Sequence, residues 1–328
     1  MKAVLLDGFG GVDVLRIGEV DKPAPRHGQV LIKVIATSVN RPDIVQRQGN
    51  YRQPPGESDI LGLEVAGTIE SLGPGVEGWS PGERVMSLVA GGGYAAYALA
   101  YANHLLRIPE TMSFEEAACV CETYITAFLN IFMLGEFKDG ETALLHGGGG
   151  GVNTSAIQLC KLLTPAAKIV VTASPAKSER VRQLGADCVI DYTSKDFAEE
   201  TVSYTDGYGV DLILDHIGAR YLAANMKSLA VEGRLVIIGV MGGIKAELNL
   251  ALMMVKRQRI IGSVLRSRPV EQKGDITAEF NERVVPTLAE RTIVPLIHTV
   301  FPLERVADAH TMMEASEHFG KIVLKVAS

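Results

Sequence analysis

The sequence predicts an α/β protein of two domains, one a β-rich, partly open barrel and the other a doubly wound parallel sheet. Three observations carry this. The first hundred residues hold short strands punctuated by proline and glycine. From residue 141 onward, strand-like and helix-length segments alternate, the pattern of a parallel sheet covered by helices. Five consecutive glycines at 147–151 stand between the first strand of that half and its helix. The length of 328 residues agrees with two domains at roughly 150 residues each.

Residues 3–6 and 30–36 read as strands, since aliphatic and β-branched residues run there without a breaker. Residues 67–73 and 84–89 follow, bounded by Gly or Pro, and Pro23, Pro25, Pro54, Pro55, Pro74 and Pro81 mark the turns. At Ser113 the character changes. Ser113-Phe-Glu-Glu116 is a capping box, in which hydroxyl and carboxylate satisfy each other's backbone amides. A helical stretch is predicted from there to residue 133. The second half has strands at 142–146, 169–172, 188–191, 211–215 and 234–238, with a sixth at 260–265. Helix-length segments lie between them at 152–163, 177–184, 197–204 and 219–230. The tail from Pro295 returns to strand, helix and strand. It is expected to close the first domain around an inserted second one.

Composition narrows the function. Lys and Arg number 32 against 38 Asp and Glu, a net charge of −6. An acidic chain has no general attraction for phosphate polymers, and 6% aromatic residues leave little material for base stacking. Nucleic acid is therefore not the expected partner. No apolar run reaches the roughly 20 residues of a membrane helix, and Asp7 interrupts any signal-like core at the N-terminus. Cys119, Cys121, Cys160 and Cys188 show no paired disulfide spacing, which suits a reducing compartment. A cytoplasmic protein is expected.

The glycine turn points to a dinucleotide. Glycines let the backbone approach a pyrophosphate, and the helix N-terminus supplies amides and partial positive charge. Asn153 stands where the last glycine of such a fingerprint is expected, and its type suggests a helix cap. The end of the second strand decides which dinucleotide. An acid there would bind a ribose 2′-hydroxyl. This strand instead ends Thr172-Ala173-Ser174, with Lys177 three residues on and no acid before Glu179. Lys177 and Ser174 suit a 2′-phosphate, Tyr192 can add a hydroxyl, and NADPH is the predicted cofactor. No metal is predicted. Cys119 and Cys121 would point about 200° apart on a helix, and there is no CxxC, HExxH or Gly-x-Ser-x-Gly motif.

These residues bring a family into view. Asn40-Arg-Pro-Asp43, Gln48-Gly-Asn-Tyr51 with Pro54-Pro55-Gly56, and Leu61-Gly-Leu-Glu-Val-Ala-Gly67 begin the match. Ile125-Thr-Ala-Phe128, the glycine turn, Leu184-Gly-Ala186, Asp215-His-Ile-Gly218, Gly239-Val-Met-Gly-Gly243 and Gly320-Lys-Ile-Val-Leu324 continue it. The chain resembles the zinc-free, zeta-crystallin-like quinone oxidoreductases of the medium-chain dehydrogenase/reductase superfamily. It is most similar to the tumour-suppressor-inducible group, whose Ser-x-Leu-Arg-Ser-Arg segment is Ser263-Val-Leu-Arg-Ser-Arg268 here. Zinc-dependent members carry a ligand Cys about where Asn40 stands and Gly-His-Glu where this chain has Gly62-Leu63-Glu64.

The resemblance implies a GroES-like catalytic domain over 1–121 and 295–328 and a Rossmann NADPH-binding domain over 122–294. It places Thr126 at the nicotinamide ribose or phosphates, Gly151 and Val152 at the pyrophosphate, and Ser174, Lys177 and Tyr192 at the 2′-phosphate. Ile217 would lie near the adenosine, with Gly239, Val240, Met241, Val264, Leu265 and Arg266 framing the nicotinamide. Asn40 and Tyr51 would line the substrate cleft as catalytic residues. The implied activity is metal-free hydride transfer from NADPH to a quinone or other conjugated acceptor, in a homodimer paired through sheet edges. Reduction of an enone or alkenal double bond, or a non-catalytic NADPH-binding role, are the alternatives.

Overall fold

The structure is a computed structural model that describes residues 1–327. The chain divides into two units, Met1–Ile125 together with the segment from Leu265 onward, and Thr126–Val264.

The first unit is built on a seven-stranded sheet. Strands Ile297–Pro302, Lys321–Lys325, Gln29–Val39, Glu64–Leu72, Arg84–Leu88 and Leu105–Arg107 pair in that order, and Tyr97–Tyr101 pairs with Gln29–Val39. Eleven residues long, Gln29–Val39 alternates enough apolar positions to bury both ways. Val30, Ile32 and Val34 enter one core with Val65, Ile69 and Val85. Val39 enters a second with Ile44, Leu61, Tyr94, Ile322 and Leu324. At the end of this strand Asn40 opens the helix Arg41–Arg47, with Pro42 in its first turn where a missing amide costs nothing.

The predicted helix from 113 to 133 is broken. The capping box forms as expected, but its helix covers only Phe114–Ala117. A second helix, Cys121–Phe128, follows, and Leu129–Leu134 closes in wider π-type turns. The cause of the first break is visible at Glu122. Its amide donates to the Glu64 carboxylate at 2.9 Å and so is lost to the helix ladder. Cys119 therefore lies in the link between helices, not on one helix with Cys121 as the sequence suggested.

The second unit is a six-stranded parallel sheet in the order Cys188–Asp191, Lys168–Ala173, Thr142–His146, Val210–Asp215, Leu229–Ile237 and Arg259–Gly262. In sequence order this is 3-2-1-4-5-6, the doubly wound arrangement whose switch point lies between the first and fourth strands. The helices Gly151–Leu163, Pro175–Gln183 and Phe197–Tyr204 agree closely with expectation. The helix expected at 219–230 is shorter, Leu222–Ser228. Its C-terminal part is taken into the long strand Leu229–Ile237.

The sequence reading assigned residues 265–294 to the nucleotide domain, and here the structure differs. After Gly262 the chain leaves the sheet. The Arg266 guanidinium donates twice to the Ala90 carbonyl, at 2.8 and 2.6 Å. Helix Val270–Arg283 then packs on the 102–104 turn, where His104 Nε2 donates to the Val270 carbonyl at 2.9 Å. A Cβ on Gly274 would sit 2.4 Å from Asn103. These contacts bind the segment to the first unit.

Candidate active site

In the second unit the glycine turn follows Thr142–His146 at the switch point. Gly147 adopts φ +76°, and the amides of Gly147 and Gly148 both donate to the Thr172 carbonyl, at 3.0 and 2.9 Å. A Cβ on Gly148 would lie 2.4 Å from Val171, so this position requires glycine. Helix Gly151–Leu163 starts at Gly150 with no side-chain cap and no acid in its first turn. Its leading amides, including those of Gly151 and Val152, are left for an anion.

Asn153 does not cap this helix. It lies buried in the first turn, where its side-chain amide donates to the His146 carbonyl and to that of Gly147, the latter at 3.1 Å. Hydrogen bonds thus fasten helix to strand where a glycine would allow close packing.

Beneath the turn, Asn225 donates to Asp215 at 3.1 Å and accepts from His146 Nε2 at 2.7 Å. Thr172 Oγ1 meets His146 Nδ1 at 3.2 Å. His146 is therefore the neutral Nε2–H form, and burial pushes its pKa down to about 3. Asp215 also accepts from the amides of Ile217 and Gly218, at 2.7 and 3.1 Å, which shapes the loop holding Ile217. That loop meets the 239–243 loop closely: Met241 N donates to His216 O, and Gly242 N to Ile217 O. Gly239 lies against His216, while Val240 and Met241 are exposed.

The second strand ends as predicted. Ser174 takes the N-cap position of helix Pro175–Gln183, but its hydroxyl makes no capping bond. Lys177 is half-buried. Burial first, and then the charge of Arg180, lowers its pKa. Arg180, one turn on, is a residue the sequence reading missed, although its i,i+3 spacing from Lys177 was available. Two cations and a hydroxyl thus meet with no acid in the first turn. Tyr192 is exposed beyond the third strand. Thr126 is half-buried, and its carbonyl accepts from Asn130 at 2.7 Å. The residues of this unit fit a dinucleotide. Val264 ends the unit, whereas Leu265 and Arg266, predicted to act with it, belong to the first.

The first unit gathers a buried polar cluster at the end of Gln29–Val39. Glu64, fully buried, accepts on Oε1 from Ser38 Oγ (2.6 Å), Asn40 Nδ2 (3.0 Å) and Lys321 Nζ (3.0 Å), and on Oε2 from the Glu122 amide. Asn40 is 5% exposed, and its side-chain oxygen accepts from Lys321 at 2.5 Å. Asp43 accepts from the amides of Asn40 and Gly62 and from the Tyr94 hydroxyl, at 2.8, 3.1 and 3.0 Å. Burial outweighs these bonds and raises its pKa to about 6. Behind it runs a directed chain. Arg47 can only donate to His310 Nδ1 (3.3 Å), so His310 donates through Nε2 to Tyr94 (3.3 Å), which donates to Asp43.

Tyr51 lies on the loop that follows Gly49 (φ +82°) and is half-buried. The Arg266 guanidinium stacks over its ring at 5.1 Å, and the ring walls a cavity of about 520 Å³ shared with Leu6, Phe9, Gln46 and Ile60. Burial, then the charge of Glu122, push the phenol up to about 12, so it stays protonated and able to donate. Arg266 is 8% exposed, and its Nη1 is buried without a partner. The structure therefore brings Tyr51 and Arg266 together, while the side chain of Asn40 is engaged by Glu64 and Lys321.

Among the described residues, no group of three or more His, Cys, Asp or Glu side chains is placed to hold a metal. None of the described helices is long and apolar enough to cross a membrane.

Comparison with known proteins matches residues 26–110 to the alcohol dehydrogenase GroES-like domain and residues 184–324 to the zinc-binding dehydrogenase family. The quinone oxidoreductase of Rattus norvegicus is 32% identical over 328 residues, 99% of this chain and 97% of that protein. A mycobacterial protein solved in complex with NADPH superposes with a TM-score of 0.89 at 30% identity, covering 99% of this chain and all of that one. The CurK enoyl reductase superposes at 0.87 with 27% identity, covering 99% and 98%.

Proposed function

The chain belongs to the medium-chain dehydrogenase/reductase superfamily, and we propose that within it the protein is an NADPH-dependent, metal-independent reductase of quinones. The observation that carries this reading is the buried, unpartnered Nη1 of Arg266 beside the Tyr51 ring. A carbonyl oxygen that gains charge during reduction needs donors already in place. Here a guanidinium N–H and a phenol held in its protonated form are adjacent, and neither is consumed by the fold.

When bound, the cofactor supplies a hydride. The protein's part is binding, orientation and charge. The first-turn amides of Gly151–Leu163 receive the pyrophosphate, with Thr126, Ile217, Gly239, Val240, Met241 and Val264 along the dinucleotide. Lys177, Arg180, Ser174 and Tyr192 receive the 2′-phosphate, which favours NADPH over NADH. Tyr51 and Arg266 hold the acceptor oxygen, while Asn40 is held in the buried cluster by Lys321 and Glu64. A quinone is a strong electrophile and needs no Lewis acid, which agrees with Asn40 and Leu63 at the positions where zinc-dependent members carry ligands. The similarity to an enoyl reductase supports a second reading, reduction of an enone, with the same donors on the enone oxygen.

The test is cofactor oxidation against a panel of o-quinones, p-quinones and alkenals, with NADPH and with NADH. Quinone turnover that depends on NADPH is the expected result. Turnover confined to alkenals selects the second reading, and binding of NADPH without turnover of any acceptor refutes both.

A further inference from the structure

Reduction of a carbonyl by hydride leaves an oxyanion, and a proton must follow. Tyr51 is poorly suited to give one up, since its environment holds the phenol proton so firmly. His146 belongs to the second unit's strand-end network, and His310 to the Arg47 chain, where each is held neutral.

Glu122 differs from every other acid of this unit's buried cluster. Glu64 and Asp43 accept several hydrogen bonds each. The Glu122 carboxyl accepts none among the described residues, and only its amide is engaged, by Glu64. The residue is partly buried at the start of helix Cys121–Phe128. The charged and titratable groups within electrostatic reach of it come from several elements of the unit. Glu64 comes from its strand, Asp43 from Arg41–Arg47 and Lys321 from the last strand. Arg266 and Lys273 come from the 265–283 segment, Tyr51 from its loop, and Cys121 is its chain neighbour. Burial, then the Glu64 charge, raise the Glu122 pKa to about 8, against the opposing pull of Lys321 and Arg266. The shift favours the protonated acid at neutral pH.

We propose that Glu122 is the proton donor of the reduction, acting on the acceptor oxygen that Tyr51 and Arg266 hold. This rests on the function proposed above. The acceptor gains a hydride and becomes an oxyanion. The Glu122 O–H bond breaks as an O–H bond forms on that oxygen, and the carboxylate left behind recovers its proton from water. One NADPH and one proton are consumed for each hydroquinone formed.

The first test needs no cofactor. Infrared difference titration of the wild-type protein should show a protonated carboxyl that ionises near pH 8 and is missing from Glu122→Gln. The absence of such a band above about pH 6, where an ordinary Glu is already ionised, overturns the proposal. The second test is the pH profile of kcat/KM for whichever acceptor the wild type reduces. The wild type should lose activity above about pH 8, tenfold per unit in the limit of one essential acid. Glu122→Gln should lower the plateau about a hundredfold, the scale of general acid catalysis, and abolish that limb together with the solvent isotope effect. Glu122→Asp, which keeps the acid, should keep the limb at a reduced plateau. A Gln variant with the wild-type rate and limb overturns the donor role even if quinone reduction stands. A wild type that reduces no acceptor refutes the functional reading and the donor role with it, while the titration still reports whether Glu122 holds its proton.

Discussion

Replacing Lys321 by methionine would test the electrostatic frame beneath the site. The ammonium is 3% exposed as a residue and lies 3.0 Å from Glu64 Oε1 and 2.5 Å from Asn40 Oδ1. At an effective dielectric constant of about 20, two unit charges at that separation attract by roughly 5–6 kcal/mol. Desolvation of the ammonium offsets part of this. The larger consequence is that Lys321→Met strands a buried carboxylate, which typically costs about 3–5 kcal/mol, and leaves Asn40 Oδ1 without its donor. The double variant Lys321→Met/Glu64→Gln removes both charges and should recover about half of the loss, since replacing a buried pair is far cheaper than breaking it. Urea unfolding followed by tryptophan emission is the assay. Trp79 is the chain's one tryptophan and lies under Arg107, 4.2 Å away, in the first unit, so the signal reports the unit that holds the pair. The midpoint should fall with little change in slope. A single variant within about 1 kcal/mol of wild type, or a double variant no better than the single, would refute the reasoning, because removing one partner of a buried pair leaves the other charge uncompensated.

Other consequences can be measured separately. Lys177→Ala should weaken NADPH binding by about 1–3 kcal/mol, the range for losing a charge-assisted hydrogen bond, and leave NADH almost unaffected; equal weakening of both would mean that Lys177 is structural. Tyr51→Phe keeps the ring on Arg266 and removes one donor, so kcat/KM for a quinone should drop about ten- to a hundredfold with NADPH affinity unchanged, and full turnover would reduce Tyr51 to a wall of the pocket. Protein produced with zinc in excess should carry far less than one zinc per chain and be indifferent to chelators; stoichiometric zinc whose removal abolishes activity would contradict this. For Glu122, a carboxyl raised on folding, the folded state holds the extra proton between its unfolded and folded pKa values, so stability falls as pH rises through that window. The advantage of Glu122→Gln in unfolding free energy should therefore grow from about pH 5 to about pH 9, and a constant difference across that range would show that Glu122 ionises normally.

What could be read in the sequence divides along a physical line. Signals that act over a few residues were legible. Five glycines after a strand, β-branched runs at regular intervals, the Ser113 capping box and the absence of an acid after Ala173 each report a local backbone or charge requirement. They located the sheet, the helices and the nucleotide turn to within a few residues. Signals that depend on chain closure were not legible. Arg47 and His310 are 263 positions apart, and Lys321 and Glu64 are 257 apart, so nothing near either residue announces the bond. The break before Cys121 was missed for the same reason, because the carboxylate that captures the Glu122 amide lies 58 residues away. Asn153 shows the intermediate case. Its departure from glycine was plain in the sequence, but only the fold shows that its side chain ties the helix to His146 and Gly147.

Gathering three carboxyl groups in one cluster, two of them buried, is costly, and the way the first unit distributes that cost says what the cluster can do. Glu64 receives most of the available donors, including the buried ammonium of Lys321. Asp43 receives three neutral donors, and the Glu122 carboxyl receives none among the described residues. The pKa values of the last two rise in that order, to about 6 and about 8. Like charges in a shared low-dielectric region push one another's ionisation apart, and the group with the fewest partners absorbs the largest displacement. A fold selected for stability alone would gain by exchanging that carboxyl for an amide of the same shape. Keeping it partly buried, within electrostatic reach of Tyr51 and Arg266, is physically intelligible when its proton is used. The same arrangement accounts for Lys321: its ammonium is held by Glu64 and Asn40 and donates no hydrogen bond to Glu122 among the described residues.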